Sequence, residues 1–301
     1  MSKRLVAVLV GAAVALLAVL AVVVVMVLPK LTTPLVAPKE STASSASQTL
    51  LPFGRLELSA AGTAGTSVAV DRSGGVYVPD TGNGRVLKLA AAASEPTPLP
   101  IPGFDKPSGV AVDSAGTVYV IQGELAGSRL AKLSPGASAA VELPTSSAKF
   151  GRLAVGPDGV VYVAGLNSLE RLKDGRFEQL PKPPGDFPQS VAVDEAGAIY
   201  VLVQTNSAYR IQKLSAAATS YTDVTGADLQ VNGTVRMIAL DSAGAIYFTG
   251  GHQVSKLARG SVQPIELPIT DLMAPFGIAV GADGSVYVSD IAGGRVLKFQ
   301  A

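Results

Sequence analysis

Cysteine is absent from the 301-residue chain. That excludes disulfides, thiol nucleophiles, cysteine-based zinc sites and a lipid-modified cysteine anchor. Histidine is nearly absent: His252 is the only one. A Ser–His–Asp triad would have to be built on that residue. Charge is scarce too, at 16% of residues, with 24 Lys and Arg against 23 Asp and Glu and a net charge of +1. No basic field exists to hold nucleic acid, so nucleic acid is not an expected partner.

What is plentiful is apolar surface: 48% of residues are hydrophobic. Part of the excess has one source. Residues 5–28 read LVAVLVGAAVALLAVLAVVVVMVL, with no charged or polar side chain. As a helix rising ~1.5 Å per residue, this run is long enough to cross a hydrocarbon core of ~30 Å. It is longer than a secretory h-region, and Ala37, the first alanine after it, is followed by Pro38, a poor cleavage site. The expectation is an uncleaved signal anchor. Lys3 and Arg4 precede it, which places residues 1–4 in the cytoplasm and the remainder outside. Residues 29–47, PKLTTPLVAPKESTASSAS, read as a flexible linker.

From residue 48 onward one pattern returns six times. An apolar–Ala–apolar triplet begins at 68, 110, 153, 191, 238 and 278. A tight turn follows each, as in DSAG or GPDG, and then a second strand: VYV at 76–78, 118–120, 161–163 and 286–288, IYV at 199–201 and IYF at 246–248. A third segment follows, as in RVLKL at 85–89, and a fourth, variable one carries Leu-Pro or Ile-Pro in four of the repeats. Four short strands per repeat of ~40–45 residues predict the blade of a β-propeller. Segments that are short, β-branched and bounded by glycine turns exclude helical solenoids. The expected fold is therefore all-β, a six-bladed propeller over 48–301 preceded by one transmembrane helix. The sixth repeat stops after its third strand, so residues 47–56, SQTLLPFGRL, are expected to supply the fourth and close the ring.

The stretch SVAVDRSGGVYVPDTGNGRVLKL at 67–89 resembles the repeat of NHL-type propellers. The arrangement of membrane span and propeller is similar to the extracytoplasmic sensor domains of mycobacterial receptor serine/threonine kinases. Kinase motifs are missing: there is no Gly-rich loop, HRD or DFG. The resemblance thus implies a sensor-like binding module without enzymatic output of its own. The motif's acidic residue after the second strand persists only as Asp80 and Asp290.

Candidate ligand-face residues follow from position. Arg85, Arg129 and Arg295, together with Arg210, open third strands, and either grip an anion or bridge to a neighbouring blade's backbone or carboxylate. Arg152 and Arg236 lie just before inner strands, where other six-bladed propellers carry metal-ligating groups; their charge would repel a cation. Asp80, Asp290 and His252 complete the set. Asp71, Asp113, Asp194 and Asp241 each open a D-x-x-G turn and read as turn chemistry. The reading on sequence alone is a plasma-membrane, single-pass protein that binds a protein, peptide or cell-envelope polymer through one propeller face. It expects no cofactor, no metal and no catalysis. The alternative is a lyase or lactonase of the propeller type.

Overall fold

A computed structural model describes residues 46–58 and 66–300, apart from 125, 150, 186, 207, 227, 230 and 232. The apolar run 5–28, the linker up to residue 45, Phe150 and Asn232 lie outside the described residues. No helix among those described is long and apolar enough to cross a membrane.

The described strands form six four-stranded antiparallel sheets, and consecutive sheets pack side by side into a ring. Blade 1 runs outward through Ala69–Val70, Val76–Asp80, Arg85–Leu89 and Thr97–Pro98. Blades 2 to 5 repeat this order with inner strands Gly109–Val112, Arg152–Val155, Phe187–Val193 and Val235–Leu240. Blade 6 takes Pro275–Val280, Val286–Asp290 and Arg295–Gln300, and its outermost strand is Ser47–Leu50. That strand pairs antiparallel with Arg295–Gln300 in the register Ser47↔Gln300 to Leu50↔Leu297. Strands from opposite ends of the described ring thus meet in one sheet, and Gln48 exchanges two hydrogen bonds with the Thr270 backbone, at 2.9 and 3.1 Å.

Local chemistry explains why each inner hairpin forms. Asp71 accepts the backbone N–H of Ser73 and of Gly75, and Gly74 takes φ +88°, a conformation that costs a glycine little. Asp113 and Asp194 accept the corresponding backbone bonds in blades 2 and 4, and Asp241 accepts the Ala245 N–H in blade 5. The repeated tyrosine meets the same aspartate from the next strand: Tyr77 donates to Asp71 at 2.8 Å and Tyr247 to Asp241 at 3.1 Å. A lysine from the third strand lies over the ring, as Lys88 over Tyr77 at 5.0 Å and Lys256 over Tyr247 at 5.0 Å.

The core is divided among the blade seams. Six apolar clusters sit between adjacent sheets; Tyr119 and Ile121 of blade 2, for example, pack on Leu153 and Val163 of blade 3. Buried hydroxyls latch neighbouring blades together near the axis. Ser67 receives the Val110 N–H, Ser190 the Ile238 N–H, and Ser128 both receives the Gly151 N–H and donates to the Ala148 carbonyl. Thr249 donates to the Phe276 carbonyl at 2.6 Å and Ser289 to the Thr66 carbonyl at 2.8 Å, across the ring closure. Gly277 must be glycine there: a Cβ would lie 2.6 Å from Ser289 Oγ and 2.7 Å from the Thr66 carbonyl oxygen.

Candidate functional site

The third-strand arginines are held by their own blades. Arg85 bonds Asp80 at 2.8 Å and Arg295 bonds Asp290 at 3.0 Å. Both aspartates are fully buried. Asp80 also receives the Glu57 N–H and the Asn83 amide; Asp290 receives the N–H of Met273 and of Ala274. Each carboxylate therefore ties a connecting segment to its blade. Arg129 bonds Glu142 at 3.0 Å and the Gly103 carbonyl at 3.0 Å, with its guanidinium 5.0 Å from the Phe104 ring centre. Arg210 bonds Asp228 and Asp223. Asp80, Arg85, Arg129, Asp290 and Arg295 thus bond within their own blades and to the segments that enter them; the carboxylates reached are not those of a neighbouring blade.

Arg152, Arg236 and His252 are different. All belong to the end of the ring where the inner strands begin. Arg152 opens the inner strand of blade 3, and its guanidinium lies 5.0 Å from the ring centre of Phe276 in blade 6. Blades 3 and 6 are opposite one another in a ring of six, so this side chain crosses the mouth of the axial channel. Arg236 of blade 5 approaches the same ring at 5.8 Å. Phe276 is itself buried and is fixed by the Thr249 bond to its carbonyl. Two cations therefore share one aromatic ring at the axis. Burial and the nearby charge of Arg236 push Arg152 down, to about 10, which leaves it cationic at neutral pH. Arg236 is exposed and makes no ion pair among the described residues. His252 is exposed in the turn after Ile246–Gly250, beside Gly251, whose N–H meets the Thr234 carbonyl just upstream of Arg236.

Beneath the mouth runs a channel cavity of about 210 Å³. Its side chains come from the inner strands and include the repeated alanines Ala69, Ala111, Ala154, Ala192, Ala239 and Ala279. Each inner strand is a sheet edge, so it also turns backbone polar groups toward the axis. The opposite mouth is a shallow cavity of about 170 Å³ with Asp71, Asp113, Asp194 and Glu195 around it, and Arg72 among them. The axis is therefore cationic at one end and mainly acidic at the other.

The donor set at the arginine mouth does not fit a divalent cation. Two guanidiniums occupy it, and among the described residues no three His, Cys, Asp or Glu side chains stand close enough to share a metal. The arrangement suits an anion, or an oxygen on which negative charge develops.

Sequence reasoning missed one polar layer. The third-strand residue opposite the valine or phenylalanine at the end of the VYV-type segment is Leu87, Ala131, Gln212, Ser255 and Leu297 in blades 1, 2, 4, 5 and 6; in blade 3 it is Glu170. All six are buried in seams between blades. Glu170 accepts from Ser146 at 2.6 Å, from the Ser147 N–H at 3.1 Å and from the Ser147 hydroxyl and the Gln179 amide. The signal was available: Glu and Gln stand where the other repeats carry Leu, Ala and Ser.

No family model matches the chain, and no curated protein sequence does. Solved structures do share its fold. A catalytically inactive histidine-to-alanine variant of virginiamycin B lyase from Staphylococcus aureus, with quinupristin, superposes with a TM-score of 0.60 at 14% identity, over 85% of this chain and 99% of that one. A gluconolactonase from Xanthomonas campestris gives 0.61 at 13% identity, over 83% and 97%. The PQQ-bound aldose sugar dehydrogenase from Streptomyces coelicolor gives 0.60 at 13%, over 85% and 98%. At these identities the likeness is one of fold. It corrects the expectation that the chain is without catalysis: the propellers it superposes on include a lyase, a lactonase and a dehydrogenase, and a six-bladed ring of this shape is consistent with an enzyme.

Proposed function

We propose that the chain is a propeller enzyme of the lyase or lactonase type, acting on a substrate that carries or develops negative charge at the arginine mouth. The observation that carries this reading is the convergence of Arg152 and Arg236 on Phe276 at the channel axis. Both reaction types place negative charge on an oxygen: the tetrahedral oxyanion of lactone opening, or the enolate and leaving carboxylate of an elimination. Two guanidiniums held near one ring are suited to stabilise it. His252, the only imidazole, is assigned the proton transfer, since it is exposed at the same end of blade 5 as Arg236. The fold likeness to a lyase that a histidine-to-alanine change inactivates supports the assignment.

The test is turnover of a panel of lactones and of cyclic esters open to elimination. Arg236→Gln is expected to lower kcat ~10²–10³-fold, as loss of an oxyanion donor does. His252→Ala is expected to lower kcat ~10²–10⁴-fold with KM little changed. Absence of turnover across the panel, or full activity in Arg236→Gln, would overturn the reading.

Placement at the membrane belongs to the same proposal. The apolar run 5–28 with Lys3 and Arg4 before it supports an anchored propeller outside the plasma membrane, within reach of envelope peptides and polymers. The repeat pattern at 67–89 supports an NHL-type ring. A phosphatase reporter fused after Ala301 should be active in intact cells; a reporter active only in the cytosol would refute the orientation.

A further inference from the structure

The geometry points to a second site, for a neutral hydroxyl-rich ligand of the size of one or two sugar units, in the cleft between blade 4 and the segments that enter and leave it. It stands apart from the axial mouth. Pro184, Gly185, Thr205, Arg210, Gln212 and Asp228 help line a cavity of about 630 Å³ there, within the range that small-molecule ligands occupy.

The chemistry rests on Gln212. The side chain is only 6% exposed, and its Oε1 is buried with no hydrogen-bond partner among the described residues. Comparison with blade 3 shows why. Glu170 stands at the equivalent position, and Ser146, which ends the outermost strand of blade 2, and Ser147 just after it satisfy it with their hydroxyls and the Ser147 N–H. The segment entering blade 4 reads Pro181-Lys-Pro-Pro184-Gly185, and three of its five residues have no N–H to give. Gln212 is thus a polar side chain in a seam whose own connection lacks donors. Gly185 holds that connection close: a Cβ on it would lie 2.2 Å from Val203 Cγ1 and 2.8 Å from Thr205 Oγ1.

Charge selects among ligands. Arg210 is balanced by Asp228 at 2.7 Å and Asp223 at 3.3 Å, so the described lining residues carry no surplus positive charge for a phosphate or carboxylate. Asp228, the acidic group among the described lining residues, and the nearby Asp223 are engaged by the same guanidinium, which disfavours a free cation. An apolar ligand would leave Gln212 unpaired. A hydroxyl group donates and accepts at once, so it meets the Gln212 carbonyl as a donor and the remaining Arg210 N–H groups as an acceptor. Several hydroxyls on a compact ring match the several polar groups around the cavity.

The experiment is calorimetric titration of the full-length chain with glucose, N-acetylglucosamine and maltose, and with phosphate and acetate as charged controls. At least one sugar is expected to bind saturably and to raise Tm with concentration, while the charged controls do not compete. Gln212→Leu is expected to weaken sugar binding at least tenfold without lowering the Tm of the free protein, since it removes an unpaired polar group rather than a contact. Ala208→Trp, which fills the cleft, should abolish binding. Activity at the arginine mouth is read in parallel and should be unchanged in both variants. The inference is overturned if no sugar binds, if the Gln212→Leu protein binds as the parent does, or if a crystal structure in saturating sugar shows a structural water alone at Gln212.

Discussion

Asp290 shows what a single side chain does in this ring. It is fully buried, and it gathers Arg295 with the backbone N–H groups of Met273 and Ala274, so one carboxylate fixes both a strand and the segment that enters its blade. Asp290→Ala leaves those donors unpaired and should cost on the order of 2–4 kcal/mol, measured by urea unfolding. The turn aspartates govern acid behaviour. Burial alone would raise Asp71, but the bonds from Ser73, Gly75 and Tyr77 and the charge of Lys88 outweigh it and leave the group below its ordinary value. Asp283 is lowered in the same manner, with Ser285 and Lys298 overcoming its desolvation. A depressed carboxylate contributes stability that is present above the unfolded value near pH ~4 and is lost as pH falls through the folded one. Tm should therefore decline below about pH 4, and Asp71→Asn should flatten that decline. The tyrosines act at the other extreme. Burial, then the charge and hydrogen bond of Asp113, push Tyr119 up to about 12, and burial does the same to Tyr221. A phenol whose folded value is raised stabilises the fold below the unfolded value near pH ~10, and that stability fades as pH rises toward 12. Tyr119→Phe should weaken the alkaline part of the profile.

The strand that closes the ring is the element most open to test. Ser47–Leu50 is exposed along its length and holds through its ladder and the Gln48–Thr270 exchange. The Leu51 N–H meets the Val296 carbonyl, and alternation along an antiparallel ladder gives Thr49 the same role opposite Lys298. Thr49→Pro removes that donor. It should lower Tm and, by baring the edge of Arg295–Gln300, promote self-association visible by light scattering. Elements of this kind were legible in the sequence, because a hairpin is a local event: Asp, Gly and the VYV-type triplet sit within a dozen residues and recur. The site was less legible. Arg152 and Phe276 are remote in the chain, and only the closing of six blades brings opposite members together at the axis. The place of Arg152 and Arg236 before inner strands singles them out, whereas nothing local in the sequence marks Phe276 as the ring between two cations. The seam residues Glu170 and Gln212 were hidden because the third strand was read for its Arg and Lys and not for the buried position between them.

At the scale of the whole molecule the ring is electrically polarised along its axis, with guanidiniums at one mouth and Asp71, Asp113, Asp194 and Glu195 around the other. An anionic ligand should therefore bind at the arginine mouth with an affinity that falls as ionic strength rises from 0.01 to about 0.15 M, where the Debye length shrinks to ~8 Å. A flat salt dependence in a titration series would speak against that site.

The pairing of residues 47–50 with 297–300 also bears on how the protein is made. Ser47–Leu50 must wait for Arg295–Gln300, the last of the described strands in chain order. Blades 1 to 5 can each zip up from consecutive strands as they emerge, but the sixth is assembled from a strand ahead of blade 1 and three strands after blade 5. Until residues 275–300 have emerged, the first blade lacks the neighbour that will cover its flank. A chain cut short by even one strand would leave the circle unclosed. Native structure here is a late and collective event, and the nascent protein spends most of its synthesis as an incomplete arc in need of protection from its own exposed edges.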